Sequence, residues 1–493
     1  MQAGLVQARH DKTPCISGVP KLNKRFSNSS LYFFVSIAQK LISCALLPIY
    51  TYYLDQYNLG IVSVCASVST LAPLLVFLGI SDAVYFLSLR SESPPGSILR
   101  VALHFQSRVF LLAASGVVLL TIWLKNKLIF NIPVYPYLFF SLMAGLLGGF
   151  FVTSQEQLRA SERMKEYSLF GGIQFTLTTT LAVLFLIYFQ RNALSIILAA
   201  VFSNSITALL TLWWGRVDTR EKLPKIRELL SFSTPLVPHN FAHWIKGFGD
   251  RIALSYFTTT QAAGIYFVAV NIVQPFYLGV NSFAASNNPR FFQLSQTKHW
   301  RQVTDMLLLS TAGFSAAAIA FGLFAPNLVS LLTSPTFHST SQFIPVLLSA
   351  MLFWVIYSNL VLVIYQQKKS RLLAVITLVA LSSSFLTTLV LIVTLSVLGA
   401  AIGAVFANML LVAAVYLFCQ KLIKLPWPIF EASFIALLPC LLPLIEPFFS
   451  QVEAGLQVVI KIGIACTYLL IMVIFLRARG IMGETMPFTL RQS

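Results

Sequence analysis

Apolar stretches of about 20 residues recur along the whole chain, separated by short polar or basic segments. At about 1.5 Å of rise per residue, such a stretch crosses the ~30 Å hydrocarbon core of a bilayer as an α-helix. The pattern predicts fourteen helices, at 29–53, 57–81, 101–124, 133–156, 169–190, 192–215, 231–257, 264–288, 303–325, 343–366, 371–396, 398–420, 429–449 and 456–477. Continuous runs of this length exclude a membrane β-barrel, whose strands are short and alternate in polarity. The seventh stretch is divided by face. His239, His243, Lys246 and Asp250 follow one another at spacings of 4, 3 and 4, which places them within about 60° of each other on a helix. Val237, Phe241, Trp244, Ile245, Phe248 and Ile252 take the opposite face. A charge at bilayer depth costs about 2.5 kcal/mol or more, so Lys246 is expected to face a cavity rather than lipid.

The pattern also repeats. Residues 27–61 and 231–265 align without gaps at an offset of 204, and each segment starts with Ser and ends at a Gly-Ile pair, Gly60-Ile61 and Gly264-Ile265. The helices that follow carry Pro73 and Pro275, each expected to kink its helix. The predicted organisation is a cytoplasmic segment 1–28, a six-helix lobe 29–215, a basic linker 216–230, a second six-helix lobe 231–420, two appended helices within 429–477, and a tail 478–493. Two pseudo-symmetric lobes around a central cavity is the architecture of alternating-access transporters. The repeat picks out a second intramembrane cation: Lys40, midway along the first helix, shares a polar stripe with Gln39 as Lys246 does with its neighbours on the seventh.

Composition agrees with a polytopic membrane protein. The chain is 57% hydrophobic and 10% charged, with mean hydropathy +0.79, against about 25% charged residues in soluble domains. The net charge of +18 reads as topology rather than nucleic-acid binding. With the N-terminus inside, 26 of the 34 lysines and arginines fall in cytoplasmic segments and only Lys125, Lys127 and Arg191 fall outside. That bias predicts both termini in the cytoplasm. The six cysteines lie scattered with no CxxC, so no disulfide or metal framework is expected, and the polar, basic first 26 residues do not form a cleavable signal peptide.

The candidate substrate-binding residues are Lys40, Lys246, His243, His239, Gln39, Asn271 and Gln274. The two lysines offer point charges to an anion, with an ion pair between Lys246 and Asp250, or snorkelling of Lys40, as the structural alternatives. His239 and His243 have an i, i+4 spacing that can suit a metal, but no Glu or Cys completes a set, so no metal is expected; they read as sugar-binding, titrating or simply packed residues. Gln39, Asn271 and Gln274 suit either sugar hydroxyls or helix–helix hydrogen bonds. Asp250, Arg251, Pro73 and Pro275 are the candidate gating or structural residues. Paired catalytic carboxylates, GxSxG, HExxH and glycine-rich phosphate loops do not occur, so the chain is expected to be neither an enzyme nor a cofactor protein.

The run Leu230-Ser231-Phe232-Ser233-Thr234-Pro235-Leu236-Val237-Pro238-His239, followed by Gly249-Asp250-Arg251-Ile252 and Ala263-Gly264-Ile265-Tyr266, resembles the bacterial polysaccharide (Wzx-type O-antigen) flippases of the MOP superfamily. The resemblance implies a monomer in the bacterial inner membrane that moves an undecaprenyl-diphosphate-linked oligosaccharide to the periplasmic leaflet, alongside polysaccharide assembly proteins. The diphosphate and sugars would occupy the cavity between lobes. Rival expectations are a MATE-type multidrug or cation exporter, which needs an intramembrane carboxylate, a lipid II-type flippase of the same superfamily, and a membrane polysaccharide polymerase. The short external segment 326–342 carries no Lys or Arg, against the last of these.

Overall fold

The computed structural model describes residues 39, 41–90, 95–214, 225–297, 299–367, 369–424, 426–449 and 452–481. Its first half contains α1 (Leu47–Tyr53), α2 (Gln56–Val76), α3 (Ile80–Arg90), α4 (Pro95–Leu124), α5 (Phe139–Ala160), α6 (Met164–Tyr188) and α7 (Ala193–Trp214). A two-stranded hairpin, β1 (Leu128–Ile129) against β2 (Ile132–Pro133), joins α4 to α5. The second half contains α8 (Ile226–Ser233), α9 (Val237–Trp244), α10 (Asp250–Phe257), α11 (Thr260–Gln296), α12 (Trp300–Leu323), α13 (Ala325–Leu332), α14 (Ile344–Gln366) and α15 (Ser370–Leu422). The chain closes with α16 (Ile429–Leu437), α17 (Leu442–Phe449) and α18 (Ala454–Ala478).

This is the all-α membrane bundle that the hydropathy pattern predicts. Among the described residues, eleven helices rather than fourteen are long and apolar enough to cross a bilayer, and the difference falls at three places. Of the first predicted helix, only Gln39 and the stretch from Leu41 to Tyr53 lie within the described residues. The seventh is interrupted by a 3-10 turn at Thr234–Leu236 and a π turn at Ile245–Gly249. The eleventh and twelfth run together as α15, bent where Ser396 takes a non-helical φ of 53°. Burial separates core from periphery: 78% of the apolar window around α14 is buried, against 6% for α4 and 11% for α18, whose apolar side chains are left to face lipid. Pro73 lies in the last turn of α2, and α11 continues through Pro275 as an unbroken helix.

The repeat reappears as reciprocal contacts between the halves. Asp55 caps α2 by accepting from the Asn58 N–H, and Thr259 caps α11 by accepting from the Ala262 N–H, each residue 204 positions from its counterpart. A Cβ on Gly60 would collide with the Thr260 carbonyl oxygen, and one on Gly264 with the Gln56 carbonyl oxygen. Both pairs exchange under the same offset of 204. Thr51 Oγ1 accepts from the Ser334 N–H at 3.1 Å, while Ser255 Oγ donates to the Phe130 carbonyl at 2.6 Å; 51 and 255, and 130 and 334, are again 204 apart. In this way the segment after α4 bonds to α10, and the segment after α13 bonds to α1. Such i-to-j and j-to-i exchange is what a two-fold axis between the halves produces. A similar contact recurs deeper without the exact offset: Asn204 in α7 donates to the Ala144 carbonyl in α5, and Asn408 in α15 donates to the Ala350 carbonyl in α14.

Candidate functional site

Two chambers of nearly equal size are present, one of about 490 Å³ lined by second-half residues alone and one of about 500 Å³ lined by first-half residues together with Phe267 and Asn271. Phe267 and Asn271 of α11 line both. Asn271 lies eleven residues from Thr260, about 16 Å at 1.5 Å per residue, which is middle depth in a ~30 Å core.

The second-half chamber contains His243, Lys246, Asp250, Arg251, Asn271 and Gln274. The interruption of the seventh predicted helix places them there. Pro235 and Pro238 lack an N–H, and the π turn Ile245–Gly249 contains Gly247 and Gly249. A five-residue turn rotates everything beyond it, so the predicted straight polar stripe is corrected to a bent one, and Ile245 and Phe248 of the predicted apolar face also line the chamber. Trp244 of that face is a contact between halves, its indole Nε1 donating to the Ser67 carbonyl (3.2 Å) and to Thr70 Oγ1 (3.1 Å).

Lys246 and Asp250 do not form an ion pair. The Asp250 carboxylate accepts from the Tyr266 hydroxyl at 2.6 Å and from the Arg251 N–H at 2.8 Å. Lys246 has no hydrogen-bond or carboxylate partner among the described residues; its Nζ rests 4.1 Å from the centroid of the Trp354 ring. Arg251, only 8% exposed, packs over Phe248 and Phe267, and its Nε has no acceptor. This chamber therefore presents two underused cations beside one satisfied carboxylate.

The remaining candidates are dispersed. His239 packs edge-on against His243, ring centroids 4.7 Å apart, and does not line the chamber of Lys246. Its neighbour Asn240 donates to Asp82 Oδ2 across the halves at 2.6 Å. Gln39 lines the first-half chamber, and Lys40 lies outside the described residues. Pro73 lines a third cavity of about 500 Å³, and Pro275 lines none of the three. Among the described residues no group of three or more His, Cys, Asp or Glu could hold a metal ion.

Sequence reasoning missed Trp354, Tyr277 and Gln155. An aromatic residue inside an apolar span carries no signal that separates a chamber wall from a packed core. Gln155 lies at the predicted end of its span, beside Glu156, where an amide reads as interfacial; α5 continues to Ala160 and carries it inside.

A sequence model of the family described as "Polysaccharide biosynthesis protein" matches residues 26–295, more than half of the 493. The chain belongs to that family. No curated protein sequence matches the chain, but its fold is shared with solved transporters. One is the lipid II flippase MurJ in an inward closed conformation, with a TM-score of 0.69 at 14% identity over 92% of this chain and 99% of that one. Another is a multidrug resistance MATE family transporter of the MOP superfamily in an inward-facing conformation, with a TM-score of 0.54 at 14% identity over 83% and 96%. The chain thus shares its fold with these two transporters.

Proposed function

We propose that this polysaccharide biosynthesis family member is a flippase that moves an undecaprenyl-diphosphate-linked oligosaccharide, such as an O-antigen repeat unit, across the bacterial inner membrane. The observation that carries this reading is Lys246, a lysine at middle depth with an aromatic ring as its partner, in a chamber that also contains the buried Arg251. A cation–π contact is worth about 0.5–2 kcal/mol. Charge-assisted hydrogen bonds to phosphate oxygens are stronger than neutral ones and gain further in a low dielectric. An entering diphosphate would accordingly draw the ammonium off Trp354. The two halves, residues 29–215 and 231–420 by sequence, would rock about the site and expose it to each leaflet in turn, with both termini cytoplasmic.

A cation exporter needs a free intramembrane carboxylate, whereas Asp250 already accepts two hydrogen bonds and adjoins two cations. The test is Lys246→Gln expressed in cells lacking their own flippase. The expected outcome is lost surface polysaccharide and accumulated intracellular lipid-linked precursor at unchanged protein level. Full surface polysaccharide at matched expression would remove Lys246 from the site and with it the basis of this reading.

A further inference from the structure

The ring beside Lys246 is itself held in place. Trp354 Nε1 donates to Asn281 Oδ1 at 3.1 Å, and Asn281 Nδ2 in turn donates to the Tyr277 carbonyl at 3.0 Å. The Tyr277 and Tyr357 rings flank the indole, with centroids 6.3 and 4.9 Å from its own. With the N–H satisfied and the edges packed, the capacity left to the indole is its π face, and the Lys246 ammonium rests on that face at 4.1 Å. Trp354 and Lys246 are both half-buried and both line the second-half chamber, so their contact is part of the chamber wall. Gln274 and Tyr277, three residues apart and therefore neighbours on one face of α11, line the same chamber. A fixed aromatic face among such groups suits a pyranose. The C–H groups on one face of a sugar ring carry partial positive charge, and the negative face of an indole attracts them for the same reason that it attracts an ammonium.

We infer that Trp354 is a specificity-determining residue whose ring receives the first sugar of the substrate, the one bonded directly to the diphosphate, in exchange for Lys246. An entering diphosphate draws the ammonium to its oxygens, because charge-assisted hydrogen bonds to phosphate are stronger than the contact left behind. The vacated face then takes the C–H face of the adjoining pyranose. The covalent structure of such a substrate enforces this neighbourhood: a single oxygen separates the anomeric carbon from phosphorus, so the first sugar lies beside whichever cation grips the phosphate. Both events take place within the one chamber. The inference rests on the flippase reading and adds a sugar subsite to it, one that stays covered by the cation until phosphate claims that cation.

The test is binding to the purified full chain in detergent, with undecaprenyl diphosphate and the same lipid bearing a single glucopyranose as the two probes. The wild-type chain is expected to bind the glycosylated probe about tenfold more tightly, the worth of one stacking contact with its buried area. Trp354→Leu is expected to move the two probes in opposite directions. Bare undecaprenyl diphosphate gains about threefold, because no cation–π contact has to be broken first. The glycosylated probe loses about threefold, the tenfold stacking gain being gone and the same relief applying, so the preference disappears. Tighter binding of the bare lipid also shows that the variant is folded. Trp354→Phe keeps a smaller ring and is expected to retain an intermediate preference, and it alone decides the matter where the leucine variant does not fold. Lys246→Gln is expected to weaken both probes. Equal weakening of both probes by Trp354→Leu, as for a ring that only keeps the chamber in shape, or an unchanged preference in either Trp354 variant, would overturn the sugar subsite and leave the diphosphate site standing. So would a wild-type chain that binds the two probes alike. A wild-type chain that binds neither probe would overturn the flippase reading and this inference with it.

Discussion

Lys246, Arg251 and Gln155 are polar groups whose bonding capacity is not used up by the protein, whereas each oxygen of Asp250 accepts a hydrogen bond. A carboxylate with both oxygens hydrogen-bonded organises its surroundings. Tyr266→Phe tests the organising role of Asp250. It removes one donor to a half-buried carboxylate and is expected to lower stability by about 1.5–3 kcal/mol, the range for hydrogen bonds to charged groups, read as a fall in melting temperature of the detergent-solubilised protein. Much of this was legible in the sequence, because a polar residue in the middle of an apolar span costs enough to need a reason: Lys246, His243, Asn271 and Gln274 all line one chamber. What was not legible was pairing. Spacing alone offers Lys246 to Asp250 one turn away, and only the packing of α11 reveals that Tyr266 takes the carboxylate first.

At the level of elements, the seventh predicted helix is the instructive case. An ideal 100° wheel gives it a straight polar stripe, yet Pro235, Pro238, Gly247 and Gly249 in the same stretch are reasons for the wheel to slip. Hydrophobic runs fix where the chain crosses the membrane; they do not report whether a crossing is straight, because lipid sees only the outer face. The paired helices α2 and α11 give a cleaner test. Gly264→Ala puts a methyl group against the Gln56 carbonyl, whereas Gly279→Ala on the same helix meets open space. The first is expected to destabilise by about 1–3 kcal/mol through overpacking. The second is expected to be neutral or to stabilise by up to about 1 kcal/mol through helix propensity. Thermal melts of the two variants side by side check the opposite signs.

At the level of the whole molecule, the offset of 204 seen in sequence has a spatial meaning that one sequence could only hint at. It relates caps, a glycine crossing and two loop-to-helix hydrogen bonds, all at the end where α2 and α11 begin. If transport requires this end to part, linking the halves there must stop it. Thr51→Cys with Ser334→Cys, and separately Phe130→Cys with Ser255→Cys, in a chain whose native cysteines are replaced by serine, are each expected to abolish polysaccharide export on oxidation and restore it on reduction. Export that continues through complete cross-linking of either pair would show that this end stays shut during the cycle. The hydropathy pattern exposed the membrane bundle and the order of its long apolar helices, though not their number, because the bilayer acts on every residue of a span; the contacts that join the halves are made by a few residues at helix ends, where it exerts no such pressure.

The reciprocity of those end contacts bears on permeability. A membrane that stores energy in an ion gradient cannot tolerate a transporter with one side of its seal ajar, because chambers of this size pass small ions freely. When each half grips the other through symmetry-related groups, a rotation about their common axis strains both grips equally. Neither can yield far ahead of its twin, so these contacts tend to break and reform as a single event.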